Sequence, residues 1–201
     1  MKHMVQKQLA QSIATMQSVL ADPVIADTIV TIAALTAKAM LDGRKLMIAG
    51  NGGSAADAQH LVAEFVSRLT VNRPALRAIA LTVDSSIITA IGNDFGYEDV
   101  FVRQVEALGQ PGDVLLGIST SGNSKNIIKA LRLAREMDIT TIGFIGAGGG
   151  AMRELCDHNV IIPSDITMNI QESHLALEHI YCMLVERCYF GPTFETDYTS
   201  R

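Results

Sequence analysis

The residues with the clearest chemical potential are a glycine turn, Gly50-Asn51-Gly52-Gly53-Ser54, and the pair His60 and Glu64 behind it. A glycine turn ahead of a helix N-terminus lets backbone N–H groups come close to an anionic ligand. His60 and Glu64 are four apart, so on a helix they share one face within reach of one metal ion or one substrate. The order is His-x-x-x-Glu and not the HExxH of zinc proteases, so no protease inference follows. An ordinary exposed His–Glu pair satisfies the same spacing. Asp57, one turn earlier, reads either as an orienting partner of His60 or as a first-turn acid favoured by the helix dipole. The turn is not a dinucleotide fingerprint, because Ala55 stands at its third glycine position.

A second polar loop, Ser119-Thr120-Ser121-Gly122-Asn123-Ser124, precedes a segment carrying Lys125 and Lys129. Four hydroxyls within six residues exceed what helix capping requires, and hydroxyls with free backbone N–H groups bind phosphate without many cations. A third group, Gln171, Glu172, His174, Glu178 and His179, lies in an otherwise apolar helical run with Leu175, Leu177, Ile180, Met183 and Leu184. Glu172 and Glu178 are expected to face solvent, and His174 to be solvated or satisfied in the core.

The elements that must position these groups follow from the hydrophobic pattern. Short apolar runs at Lys45–Ala49, Leu76–Leu81, Asp113–Ile118, Thr140–Ile145 and Asn159–Ile162 read as buried strands. Helical patterns cover Val5–Leu20, Val24–Leu41, Ser54–Leu69, Ser85–Ile91, Asp99–Leu108, Ser124–Met137, Gly150–Asp157 and Ile170–Tyr189. Ser54 is expected to cap its helix. Alternating strands and helices predict an α/β fold, a five-stranded parallel sheet flanked by helices. Residues 1–44 form an N-terminal helical part of the same domain, 45–190 the α/β core with a long C-terminal helix, and 191–201 a polar tail. Both polar loops fall at carboxyl ends of strands, where open parallel sheets bind ligands.

Composition bounds the function. The chain of 201 residues is 48% apolar and 18% charged, which suits one folded domain and not a disordered one. A net charge of −5 without a basic block argues against nucleic acid as a partner. Cys156, Cys182 and Cys188 have no CxxC spacing, and their odd number argues against a disulfide framework. No signal-peptide core is evident, and no apolar run is expected to reach the roughly 20 residues that span a bilayer. The expectation is a cytoplasmic protein with no membrane partner.

With these residues in view, the chain resembles a known family. Gly-Asn-Gly-Gly-Ser-Ala-Ala-Asp-Ala-Gln-His at 50–60, Ala-Ile-Gly-Asn-Asp at 90–94, Gly-Asp-Val-Leu-Leu-Gly-Ile-Ser-Thr-Ser-Gly-Asn-Ser at 112–124 and Ile-Gln-Glu-x-His at 170–174 are similar to the phosphoheptose isomerases, members of the sugar isomerase (SIS) domain family. The likeness runs from the first helices to about Gly191. It implies a single SIS-type domain and conversion of D-sedoheptulose 7-phosphate to D-glycero-D-manno-heptose 7-phosphate, the first step toward activated heptose for surface polysaccharide. It also implies that Asn51, Gly52, Gly53, Asn93 and Asp94 line the substrate, and that Ser119, Thr120, Ser121 and Ser124 hold the phosphate. Gln171 is implied at the substrate as well. His60, Glu64, Gln171 and His179 match the zinc-binding positions, with Glu64 and His179 catalytic, and the family's homotetramer is implied.

A related branch of the family is a replication-initiation regulator that binds the initiator protein and is not known as an isomerase. It lacks an acid at position 64 and a histidine at 179, and this chain has both. An isomerase of another sugar phosphate, such as a pentulose phosphate, is the third reading, since no motif reports pocket depth. Geometry adds one expectation. Gln171 and His179 are eight apart, about 12 Å along an ideal helix, whereas two ligands of a tetrahedral zinc lie about 3–4 Å apart given roughly 2 Å bonds. One helix would not bring both to one ion, which predicts a site completed by a neighbouring subunit.

Overall fold

The computed structural model describes residues 1–191 and 194; the expected polar tail lies, but for Gly191 and Phe194, outside the described residues. Two long helices open the chain, α1 (Lys2–Ala21) and α2 (Pro23–Leu41). Asp22 separates them in an extended conformation, its side chain accepting from Val24 N, and Pro23 occupies the first turn of α2, where its missing N–H costs nothing. The α/β part follows: β1 (Leu46–Gly50), α3 (Gly53–Val66), β2 (Ala78–Ala80), α4 (Ser85–Asp94), a 3-10 turn (Tyr97–Asp99), α5 (Val102–Leu108), β3 (Val114–Ser119), α6 (Lys125–Glu136), β4 (Thr140–Ile145), β5 (His158–Ile161) and α7 (Thr167–Phe190).

All strand pairs are parallel and the sheet order is β2-β1-β3-β4-β5. The chain therefore reverses its direction of sheet growth between β1 and β3. That is the switch point where neighbouring loops diverge and leave a crevice. The glycine turn ends β1 and the serine loop ends β3, so both open on this crevice.

Alternation along the strands divides the core into two layers, since successive side chains point to opposite faces. Leu46, Ile48, Leu116, Ile118 and Phe144 pack beneath α2, α3 and α7. Met47, Ala49, Leu115 and Ile145 pack against α5 and α6 through Val105, Ile127, Ala130 and Leu131. α2 is the one candidate span among the described residues: 19 residues with a mean hydropathy of 1.7, which corrects the expectation that no run reaches that length. Its apolar face, Ile25, Ile29, Ile32, Ala33 and Met40, is buried in the first layer.

Two sequence expectations fail locally. Gly150–Asp157 forms no α-helix. A 3-10 segment, Ala147–Met152, stands there, broken by Gly148, Gly149 and Gly150 at φ 76°, 99° and 53°. Three consecutive residues on the left-handed side of φ cannot continue a right-handed helix. Ser54 does not cap α3 either; Gly52, at φ 57°, is the N-cap residue, and Ser54 lies buried inside the first turn.

Candidate active site

α3 and α7 run side by side in the same direction, and their contacts advance in step. Gly53 faces Gln171 at the crevice end, His60 meets His179 two turns further on, and Phe65 meets Tyr181 edge-on at 5.8 Å between ring centroids. A Cβ on residue 53 would collide with the Gln171 side-chain amide, so glycine there makes room for Gln171.

The second contact is the chemical centre. His60 Nε2 and His179 Nε2 are 2.8 Å apart, and Glu64 Oε1 is 3.6 Å from His60 Nε2. One ligand atom from each of His60, Glu64 and His179 falls within 4.8 Å of the others. Two imidazole nitrogens and one carboxylate oxygen at this spacing suit a zinc-type ion, whose ligands sit about 3–4 Å apart. His60 is the most exposed of the three, which leaves the cluster open on one side. Of the four residues matched to zinc, the structure brings these three together and sets Gln171 apart, against Gly53. That separation agrees with the helix arithmetic.

Buried and half-buried ionisable groups back this centre, and two of them, Arg73 and Glu186, stand in no motif of the sequence. Arg73 is 9% exposed and its guanidinium lies between the helices. It meets Glu186 of α7 at 2.7 Å and donates to the carbonyls of Glu64 and Phe65, both at 2.7 Å. The guanidinium thereby satisfies carbonyls that the end of α3 leaves unpaired, and ties that end to α7. The only sequence trace was an arginine ahead of Pro74 in a polar loop.

Glu178 corrects the solvent-facing expectation. It is fully buried, neither carboxyl oxygen has a hydrogen-bond partner among the described residues, and burial with the nearby Asp57 charge pushes its pKa up to about 8. Asp57 has one buried, unpartnered oxygen; burial raises its pKa, and His60 opposes the shift. Glu172 is exposed as expected. His174 is a core histidine, as one of its two readings held: it is buried, Nε2 lies 3.3 Å from the Ile145 carbonyl, and burial lowers its pKa to about 4.

The serine loop is built differently. Ser119 is buried and its hydroxyl meets that of Ser124 at 2.9 Å; Ser124 is the N-cap residue of α6, but its side chain makes no capping bond. Asn123 N donates to Ser121 Oγ at 3.2 Å, and Asn123 Oδ1 accepts from Ala151 N at 3.0 Å. Met152 N donates to the Gly122 carbonyl at 2.9 Å. The glycine segment that replaced the expected helix therefore braces this loop from outside. Thr120 is half-buried and Ser121 exposed. Lys125 and Lys129 engage Glu98 and Asp99 at 2.9 and 3.1 Å.

Asn51 joins the two loops. Its side chain pairs with that of Asn126 on α6 at 2.9 Å and accepts from the Tyr97 hydroxyl at 2.9 Å. Asn93 and Asp94 end α4 just before Tyr97; both are exposed and bond to each other at 2.7 Å. Tyr97 and Asn126 were missed in the sequence because neither stands in a motif of its own.

Residues 8–146 match the SIS domain family. Among curated proteins, a phosphoheptose isomerase of Akkermansia muciniphila is 58% identical over 74% of this chain and 79% of its own length. Phosphoheptose isomerase 2 of Campylobacter jejuni is 52% identical over 92% of each. Among solved structures, phosphoheptose isomerase from Neisseria gonorrhoeae superposes with a TM-score of 0.86 at 40% identity, covering 92% of this chain and 98% of that one. A Vibrio vulnificus NanR protein complexed with ManNAc-6P, 16% identical with a TM-score of 0.66, shares the fold alone. A crevice at the sheet switch point, a hydroxyl loop and a His–Glu–His cluster thus accompany matches over most of the chain, which belongs to the SIS domain family, among the phosphoheptose isomerases.

Proposed function

We propose that the protein is an aldose–ketose isomerase that converts D-sedoheptulose 7-phosphate to D-glycero-D-manno-heptose 7-phosphate. The observation that carries this reading is the meeting of Glu64 and His179, from separate helices, one of which begins at the glycine turn that opens on the crevice. Relatives at 48–58% identity bear the phosphoheptose isomerase name.

Moving the carbonyl from C2 to C1 requires taking a proton from C1 and returning one to C2, with an enediolate between. Glu64 is the base at carbon. His179 exchanges protons with the two oxygens, so negative charge does not accumulate on either. Ser119, Thr120, Ser121 and Ser124 hold the far phosphate with the α6 N-terminus. Asn51, Gly52, Gly53 and Gln171 line the sugar, with Asn93 and Asp94 at the crevice edge. His60, Glu64 and His179 would hold one zinc per subunit. When bound, zinc supplies positive charge that lowers the cost of charge developing on oxygen.

We also place the protein in a cytoplasmic homotetramer with active sites at subunit boundaries. Met4, Val5, Leu9, Ile13 and Leu20 of α1 are exposed, as are Val24 and Val30 of α2, and together they supply an apolar packing face. Light scattering should give the mass of four chains; a monomer at micromolar concentration overturns that part. The reaction itself is tested by incubating purified protein with sedoheptulose 7-phosphate and following the aldose product. Formation that disappears in Glu64→Gln, with its circular dichroism unchanged, supports the assignment. Absence of turnover in the zinc-loaded wild type overturns it.

A further inference from the structure

Asn51 has its orientation dictated from behind. The backbone N–H of Ile127 can only donate, and it donates to Asn126 Oδ1 at 3.0 Å. Asn126 is buried on the first turn of α6 and is thereby fixed with Nδ2 toward Asn51 Oδ1, while Asn51 Nδ2 returns a bond to Asn126 Oδ1, both at 2.9 Å. The Tyr97 hydroxyl adds a second donor to Asn51 Oδ1 at 2.9 Å. An amide has two acceptor positions and two donor positions. Both acceptor positions of Asn51 are taken and one donor is used, so a single N–H remains.

Tyr97 is held in turn. The next two residues, Glu98 and Asp99, accept from Lys125 and Lys129 of α6 at 2.9 and 3.1 Å. One helix therefore carries the hydroxyl loop at its N-terminus, the Tyr97 turn on its flank and, through Asn126, the side chain of the glycine turn. Tyr97 is 58% exposed, so its hydroxyl contact with Asn51 is not explained by core packing.

We propose that Tyr97 and Asn126 are positioning residues that lock Asn51 as a hydrogen-bond donor toward an oxygen of the sugar, in register with the phosphate loop. This rests on the isomerase reading for the identity of the ligand. The arrangement selects a hydroxyl or carbonyl oxygen at that position, because no acceptor remains on Asn51 to receive a donor.

The test is calorimetric binding of sedoheptulose 7-phosphate and, separately, inorganic phosphate to Tyr97→Phe and Asn126→Ala, each in wild-type and Asn51→Ala backgrounds. Tyr97→Phe should weaken sugar-phosphate binding about 3- to 10-fold, the worth of one neutral hydrogen bond. Asn126→Ala should cost about 10- to 100-fold, since it removes both bonds of the amide pair. Inorganic phosphate should bind within about twofold of wild type in both. Each loss should vanish in the Asn51→Ala background, because residues acting through Asn51 cannot add to its removal. Equal weakening of both ligands, persistence of the losses without Asn51, or an unaffected Tyr97→Phe overturns the proposal. Turnover is scored separately: a wild type that binds the sugar phosphate without isomerising it defeats the isomerase reading and leaves the Tyr97 comparison decisive. A wild type that does not bind it defeats both.

Discussion

The serine loop and the His60–Glu64–His179 cluster are made by opposite means. At the serine loop the proposed functional atoms are short hydroxyls and backbone groups contiguous in sequence, Ser119 to Ser124, and their support is hydrogen bonding from the 148–152 segment to Asn123 Oδ1 and the Gly122 carbonyl. At the His60–Glu64–His179 cluster they are long side chains on two helices, with His179 separated from His60 by 119 residues. Their support is a layer of ionisable groups, the buried Arg73, Glu186 and Glu178 and the half-buried Asp57. A grip can be written locally. A site that moves protons needs groups from different elements held within hydrogen-bond distance, and its precision depends on how the helices dock.

The largest effect should separate the two kinetically. Glu64→Gln keeps the shape and removes the proposed base, so kcat should fall by about 10²–10⁴ or more, as for loss of a positioned acid–base group, with KM little changed. A Glu64→Gln variant that instead raised KM at unchanged kcat would make the helix cluster part of the grip and erase the contrast. Next in size is the tie beneath the cluster. Arg73→Met leaves Glu186 buried without its cation, which should cost about 3–5 kcal/mol in urea unfolding, because an unpaired buried charge is what such a change leaves behind. A loss below about 1 kcal/mol would mean that α3 and α7 dock by their apolar contacts alone.

What was legible in the sequence follows the same division. The strands, both polar loops and the switch-point crevice were readable, because short apolar runs ending in Gly or Ser are local signals. His60 and Glu64 were readable as a pair for the same reason, and a resemblance was needed to join His179 to them. Glu178 was misread because a carboxylate in a helix is ordinarily solvated; only the docking of α3 over α7 shows its position buried. Arg73, Tyr97 and Asn126 act through partners on other elements, and no spacing rule reaches across that distance. The false helix at Gly150–Asp157 came from reading polarity period without the backbone freedom of three adjacent glycines.

The buried groups on α7 also give the fold a pH signature. His174 titrates at about 4 in the folded protein against an ordinary value of 6.5. Above pH 6.5 both states hold it neutral and it contributes nothing. As pH falls from 6.5 to 4 only the unfolded chain takes up the proton, so folding stability should decline by about 3 kcal/mol from this group. Glu178, one turn along, acts in the opposite sense between pH 4.5 and about 8, and that contribution cancels when variants are compared. Urea unfolding of His174→Gln across pH 4 to 7 should show a shallower acid limb than wild type by about that amount. Parallel curves would show that His174 is protonated in the fold and that the core around it is wetter than its burial indicates.

The smallest effect belongs to the grip. Ser124→Ala removes one hydroxyl and the Ser119 contact at 2.9 Å, and leaves the bonds donated by Ala151 N and Met152 N in place. One neutral hydrogen bond of about 1 kcal/mol corresponds to a rise of about 5-fold in KM, with kcat held, and a similar rise in the inhibition constant of inorganic phosphate. The phosphate measurement is the sharper of the two, because it isolates the far end of the substrate from the reacting carbons. A fall in kcat without a change in phosphate inhibition would show that Ser124 reaches the chemistry, and the division between a local grip and an assembled reaction centre would then fail at the residue where it should hold best.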